Sequence, residues 1–219
     1  LQNGKILSVI PKTFIPNYSE FYEKRYFSGY SQTEEKTVYI SEKNSSVPFG
    51  TNIILCDKKN PLFSVSIELC EDLWTVNPPS STSSLNGSSI ILNLSASNEI
   101  IGKAEYRKDL VKIQSAKTIS AYIYANAGHD ESTQDLVFSG HSLICENGTI
   151  LAEKEPFSKE TMIFAEIDAE RLFQERRKTT TYSQSKENLK NILPVKKVFV
   201  NSNPIDYAKE TFIRKIPSH

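Results

Sequence analysis

Cysteine is scarce in this chain, and an excess of charge of either sign is missing. Three cysteines occur among 219 residues, at Cys56, Cys70 and Cys145. The number is odd and no CxxC occurs, which argues against a disulfide framework or a zinc knuckle and makes a reducing, cytoplasmic setting the default. Lys plus Arg equals Asp plus Glu at 26 each. A nucleic-acid or anionic-membrane partner is not indicated, because a surplus of basic charge holds such partners. No apolar run approaches the ~20 residues that span a bilayer. The start, Leu1-Gln2-Asn3-Gly4-Lys5, has neither a methionine nor the basic-then-apolar order of a signal peptide. It reads as a truncation on the approach to a strand. Internal repeats are absent, and histidine occurs only at His129, His141 and His219.

What is present is an ordinary soluble composition, 38% hydrophobic and 24% charged. The length suits one large domain or two small ones. Lys5–Ile10 is short, apolar and β-branched, and Pro11 closes it, so a strand is expected. Residues 17–46 are polar and aromatic without a period, which predicts a long irregular excursion. Asn52–Cys56 reads as a second strand. In Phe63–Cys70 the apolar side chains fall on every second residue. That places Phe63, Val65, Ile67 and Leu69 on one face, and Ser64, Ser66, Glu68 and Cys70 on the other. Ser89–Leu94 and Ala121–Ala125 read as strands buried on both faces.

Residues 99–118 predict a helix, with Ala104, Leu110, Val111, Ile113 and Ala116 roughly at helical spacing. Two short strands, Ser142–Cys145 and Thr149–Ala152, flank Asn147-Gly148, a dipeptide that favours the positive φ angles of a tight hairpin. Met162–Ile167 is a last strand. Asp168 is the expected N-cap of a helix through about Arg177. Strands alternating with helices imply an α/β domain, and the hairpin makes its sheet partly antiparallel. The expected division is a domain over residues 1–178 and a linker or arm over 179–219 with at most short elements.

The strongest local signal is Glu68-Leu69-Cys70-Glu71-Asp72-Leu73-Trp74. A cysteine at the C-terminal end of a strand, entering a sharp turn, is where α/β enzymes display nucleophiles. Free cysteines are more commonly inert and buried, which is the reading kept for Cys56 and Cys145. Cys70 is crowded by Glu68, Glu71 and Asp72, and carboxylates disfavour a thiolate. A nucleophile here needs a cation or a base. His129, His141 and Lys12 are the candidates that the residues alone offer.

The motifs narrow the choice. Pro11-Lys12-Thr13-Phe14-Ile15-Pro16-Asn17-Tyr18-Ser19-Glu20-Phe21-Tyr22-Glu23 resembles the lysine motif of the nitrilase superfamily, in the version found in glutamine-dependent NAD synthetases. Glu68–Trp74 resembles that family's cysteine motif. Asn93–Glu99, followed by Gly102–Arg107, resembles its glutamine-binding stretch, and Glu131–Phe138 is also similar to the family. The similarity runs from about residue 4 to 177, with the motifs in the family's order. It implies a four-layer αββα sandwich and a Glu-Lys-Cys triad. Carried over, Cys70 is the nucleophile and Lys12 the triad lysine. Glu20 matches an additional glutamate that positions the lysine. Tyr18, Ser97 and Lys103 match glutamine-binding positions, and the backbone amide near Glu71 serves the oxyanion. No metal is implied.

The implied activity is hydrolysis of the glutamine side-chain amide through a cysteine thioester. L-Glutamine is the ligand, and the ammonia would pass to a synthetase domain of the same chain that uses ATP and magnesium to amidate nicotinic acid adenine dinucleotide. A homo-oligomer is implied too. Two departures stand out. The family's triad glutamate lies well upstream of the lysine, and no glutamate occurs among the eleven residues before Lys12. No phosphate-binding loop or ATP signature follows. This segment alone is expected to have little glutaminase activity and to hold no cofactor. A free-standing amidase, a non-catalytic scaffold and a papain-like Cys–His hydrolase are the competing readings.

Overall fold

The computed structural model describes residues 1–31, 36–41, 44–188 and 195–201. The first described strands are β1 (Lys36–Ile40) and β2 (Ser45–Phe49), an antiparallel pair standing apart from the main sheet. They correct the irregular reading of residues 17–46, of which 32–35 and 42–43 lie outside the described residues. Lys5–Ile10 is not a strand. It makes one parallel bridge, Val9 to Phe49, where Val9 N donates to Pro48 O and Gly50 N donates to Val9 O. A β-branched run without a continuous neighbouring edge gains too few ladder bonds to count as a strand.

The main sheet is built from β3 (Ile53–Asp57), β4 (Ser64–Leu69), β5 (Ile90–Ser95), β6 (Ala121–Asn126), β7 (Ser142–Glu146), β8 (Thr149–Lys154) and β9 (Lys196–Val200). Across the sheet their order is β8-β7-β6-β5-β4-β3-β9. The central β4-β5-β6 set is parallel, and β3 and β7 flank it antiparallel. Asn147 and Gly148 turn β7 into β8 with φ 45° and 83°. Glycine suits the second position, because a Cβ there would meet the Ala116 Cβ at 2.9 Å. β9 pairs parallel with β3, so part of the expected arm returns to the sheet. Residues 189–194 and 202–219 of that arm lie outside the described residues.

One face of the sheet is covered by α1 (Pro79–Leu85) and α2 (Lys103–Thr118). Leu73, Ile91, Val111, Tyr122, Tyr124, Leu143 and Cys145 form the core between them. The alternation in β4 is as the spacing predicts, but its polar side is the deeper one: Ser64, Ser66 and Glu68 are buried, while Val65, Ile67 and Leu69 are half-buried. Burial of that polar edge is tolerated because each group is bonded. Ser64 Oγ donates to Gly87 O, Ser88 Oγ to Ser66 Oγ, and Ser80 N to Glu68.

α2 starts four residues later than its predicted span and buries Arg107, Val111, Gln114, Ser115 and Thr118. Ile113 and Ala116 face outward, which corrects the apolar stripe expected from spacing. Hydrogen bonds decide the face, since Gln114 Nε2 reaches Ser80 Oγ and Ser115 Oγ reaches Ser120 O.

The strands expected to be buried on both faces open at one end. Leu94 is 55% exposed, and Ala125 is exposed as well. The helix expected after Asp168 is α3 (Ala169–Lys178), with the Asp168 carboxylate accepting from Arg171 N at 2.9 Å. Its Leu172 packs on Ile90, Ile119 and Ala121. A short helix, α4 (Thr180–Glu187), follows it. Met162–Ile167 forms no strand, as no described strand offers it a ladder. One mixed sheet with helices on a face is the αβ half of an αββα sandwich. Among the described residues no helix is long and apolar enough to cross a membrane.

Candidate active site

The site forms where β4 ends. Cys70 follows Leu69 with φ 46°, a left-handed conformation rare for a residue with a side chain. Such a conformation costs on the order of 1–3 kcal/mol and persists only when its surroundings hold it. Here Cys70 N donates to Asn93 Oδ1 at 3.0 Å, and Leu69 N donates to Asp72 Oδ2 at 2.9 Å. The chain then enters a 3-10 turn, Cys70–Trp74, directly at the C-terminal end of β4.

Lys12 arrives from a distant stretch that is tied to this elbow. Phe14 N donates to Asp72 Oδ1 at 2.9 Å. The Lys12 ammonium lies 3.9 Å from Glu23 Oε2, and 21% of its side chain is exposed. Tyr18 donates its hydroxyl to the Glu71 carboxylate at 3.0 Å. Glu20 accepts from Asn98 Nδ2, and Lys103 Nζ donates to Asn98 Oδ1. The Lys103 ammonium also sits 5.3 Å from the Trp74 ring centre and 5.5 Å from that of Phe21.

Cys70, Lys12 and Glu20 line one cavity of about 740 Å³, together with Tyr18, Glu71, Ser97 and Lys103. All the side chains singled out in the motifs therefore converge. The internal partnering differs in one respect from that implied by resemblance. Glu20 is engaged by Asn98 in the direction of Lys103, whereas Glu23 is the carboxylate in ion-pair range of Lys12.

Burial and charge have tuned several of these groups. Burial pushes Glu71 up, against the opposing effects of the Tyr18 hydrogen bond and the Lys12 and Lys103 charges. Burial, then the Glu71 bond, pushes Tyr18 up, so its phenol stays a donor. Burial, then the Arg107 charge, lowers Lys103. Glu20 is held low by its own backbone amide, helped by Asn98 and Lys103. The three carboxylates near Cys70 each have donors of their own: Glu71 has Tyr18, Asp72 has two backbone amides, and Glu68 has Ser80 N and Tyr122.

The two described histidines, His129 and His141, point elsewhere. His129 is 60% exposed beside Asp130, and His141 is buried between Arg107 and Glu153. Neither lines the cavity, which removes the geometric basis for a Cys–His pair. The other thiols are buried, and burial raises both, Cys145 to about 12.

Sequence reasoning missed the supporting residues Asn93, Tyr122, Asn98 and Arg107. One signal was there for Asn93, a lone amide inside the apolar run Ile90–Leu94. Arg107 is fully buried, with Nη1 bonded to Glu99 and His141, and Nη2 donating to Asn98 O at 3.1 Å. It braces the loop carrying Ser97 from behind.

No protein-family model matches the chain. A protein of Mycobacterium tuberculosis (strain ATCC 25618 / H37Rv) named glutamine-dependent NAD(+) synthetase is 38% identical over 189 residues, covering 86% of this chain and 27% of that protein. A mouse protein of the same name is 31% identical over 163 residues, covering 71% and 22%. The chain thus spans about a quarter of the length of these curated relatives. Among solved structures, a glutamine-dependent NAD(+) synthetase from Cytophaga hutchinsonii superposes with a TM-score of 0.57 at 26% identity, over 68% of this chain and 23% of that one. A carbon-nitrogen hydrolase from Helicobacter pylori gives 0.55 at 20% identity, over 77% and 55%, and bears on the fold alone. The chain has a fold seen in a solved carbon-nitrogen hydrolase, and it is a homologue of a segment of glutamine-dependent NAD(+) synthetases.

Proposed function

We propose that this chain carries the glutaminase chemistry of a glutamine-dependent NAD synthetase. The carrying observation is that Cys70, on a strained elbow, shares one cavity with Lys12 and with Tyr18, Ser97 and Lys103. The Cys70 thiolate attacks the side-chain amide carbon of glutamine. The Lys12 ammonium stabilises the developing oxyanion with the backbone amide at Glu71. The C–N bond breaks, the nitrogen takes up a proton and ammonia leaves, and a glutamyl thioester remains. Water then adds to the thioester, glutamate departs, and the thiolate is restored. Dividing amide hydrolysis into two steps lowers each barrier.

Tyr18, Ser97 and Lys103 hold the substrate in this reading. The mixed charge of Glu71 and Lys103 suits the ammonium and carboxylate of a free amino acid. In the intact protein the ammonia would serve amidation of nicotinic acid adenine dinucleotide, with ATP and magnesium acting in a synthetase segment outside these residues. In this reading the hydrolase unit comprises residues 1–178 together with α4 and β9, the latter paired with β3 in the main sheet.

Ammonia release by the intact protein tests the reading. Glutamine is hydrolysed in preference to simple aliphatic amides, and Cys70→Ala abolishes turnover. Equal use of aliphatic amides, or turnover surviving Cys70→Ala, would overturn it.

A further inference from the structure

Beneath the nucleophile lies a buried carboxyl group that the proposed chemistry does not use. Glu68 is 2% exposed, and among the described residues no cation pairs with it. An unpaired buried carboxyl is costly to a fold, so its partners are informative. Ser80 N donates to Oε2 at 2.8 Å, and the Tyr122 hydroxyl donates to Oε1. Asn93 Nδ2 in turn donates to the Tyr122 oxygen at 3.0 Å. At its other end the Asn93 Oδ1 accepts both Cys70 N at 3.0 Å and Ser95 Oγ at 2.6 Å. Glu68 and Asn93 are register partners on β4 and β5, Tyr122 lies on β6 two residues before Tyr124, the register partner of Asn93, and all three are buried.

The donors in this series all point one way. The peptide N–H of Cys70 points to Asn93, the amide of Asn93 to Tyr122, and the hydroxyl of Tyr122 to Glu68. That order fixes which end of the Asn93 amide faces Cys70. If the amide turned over, its NH2 would oppose the Cys70 N–H and would no longer donate to the Tyr122 oxygen. An acceptor at Glu68 keeps the Tyr122 proton on the far side, which leaves the phenol oxygen free to receive Asn93. Aligned bonds of this kind also polarise one another.

We propose that Glu68, acting through Tyr122 and Asn93, is a positioning residue that locks the Cys70 amide and thereby holds the thiol in its left-handed, attack-ready conformation. The proposal rests on Cys70 being the nucleophile. Burial pushes Glu68 up to about 7, with the Tyr122 and Ser80 hydrogen bonds opposing and the Asp72 charge adding to the rise. The Glu68 carboxyl touches no reacting atom in this account.

Tyr122→Phe removes one hydroxyl from the series and leaves the ring's packing in place. In the intact protein it lowers kcat for glutamine by roughly tenfold to a hundredfold, the size expected for a misplaced reacting group. KM stays within about twofold, because the substrate's own contacts are untouched. Alkylation of Cys70 by iodoacetamide slows in parallel. Glu68→Gln, which keeps the shape but sets an NH2 against either Ser80 N–H or the Tyr122 hydroxyl, changes kcat and alkylation in the same direction. Thermal unfolding of both variants is followed alongside.

An unchanged kcat and alkylation rate in Tyr122→Phe overturns the proposal while Cys70→Ala still abolishes turnover. A rise in KM matching the fall in kcat, with a proportionate loss of thermal stability, also overturns it in favour of a purely structural role. Turnover surviving Cys70→Ala would instead remove the reading on which the proposal stands.

Discussion

The carboxylate of Asp72 joins the backbone of Phe14, two residues beyond Lys12, to the strand end that carries Cys70. Its Oδ1 accepts Phe14 N and its Oδ2 accepts Leu69 N, each at 2.9 Å. The residue is 1% exposed and spans a separation of 58 residues to Phe14. Asp72→Ala leaves two backbone amides unpaired. It lowers stability by about 1–3 kcal/mol and slows glutamine hydrolysis, because the lysine loop is released from the elbow. Urea unfolding and steady-state ammonia release check both effects. An unchanged urea midpoint would show that the tie is energetically idle.

Lys12→Met removes the ammonium but keeps most of the side chain's volume. Its only ion pair among the described residues is the long one to Glu23, so the fold survives the change. Turnover falls by about a hundredfold or more, the usual size of losing one electrostatic stabiliser at a reacting centre. Activity within a few-fold of wild type, with an unaltered circular dichroism spectrum, would exclude a catalytic role for Lys12.

Lys103→Met separates binding from chemistry. The ammonium bonds Asn98 and lies over Trp74 and Phe21 on the cavity wall. If it holds the substrate carboxylate, KM for glutamine rises by roughly tenfold to a hundredfold, the worth of one hydrogen bond to a charged group. The value of kcat changes little. A loss confined to kcat would place Lys103 in the chemical step.

The stability of the fold carries a signature of Glu68. Burial raises its carboxyl from the ordinary 4.5 to about 7, so the folded chain holds that proton more tightly than the unfolded chain does. The stabilising contribution of the proton is complete below pH 4.5 and is lost as pH rises through about 7. Glu68→Gln cannot titrate. The difference in unfolding free energy between the two proteins therefore moves against wild type between about pH 5 and 8. Denaturant unfolding across that range reads it, and a difference independent of pH would contradict the raised carboxyl.

Much of this arrangement is legible in the sequence where one local rule dominates. The alternation in Phe63–Cys70 places Cys70 at a strand end, Asn147-Gly148 makes its hairpin, and Asp168 caps its helix. Reading fails where the deciding force is a distant partner. Lys5–Ile10 has the residues of a strand but makes only isolated bridges, Lys5 to Gln2 and Val9 to Phe49. The inward face of α2 is chosen by hydrogen bonds from Gln114, Ser115 and Arg107, which apolar spacing does not register. The same holds for the site. The residues assigned chemical roles stand out by type and order, whereas the supporting roles of Asn93, Tyr122 and Asp72 come from the backbone groups and hydroxyls they meet.

Reaction with a glutamine-like diazoketone, followed by peptide mapping, examines the nucleophile itself. The reagent loses nitrogen and leaves a stable thioether on an activated cysteine that sits in a glutamine site. The account predicts a single adduct at Cys70, protected by glutamine and formed more slowly in Lys12→Met, with Cys56 and Cys145 unmodified in their buried positions. Adducts on Cys56 or Cys145 in preference to Cys70, or a Cys70 rate indifferent to Lys12 and to glutamine, would contradict it.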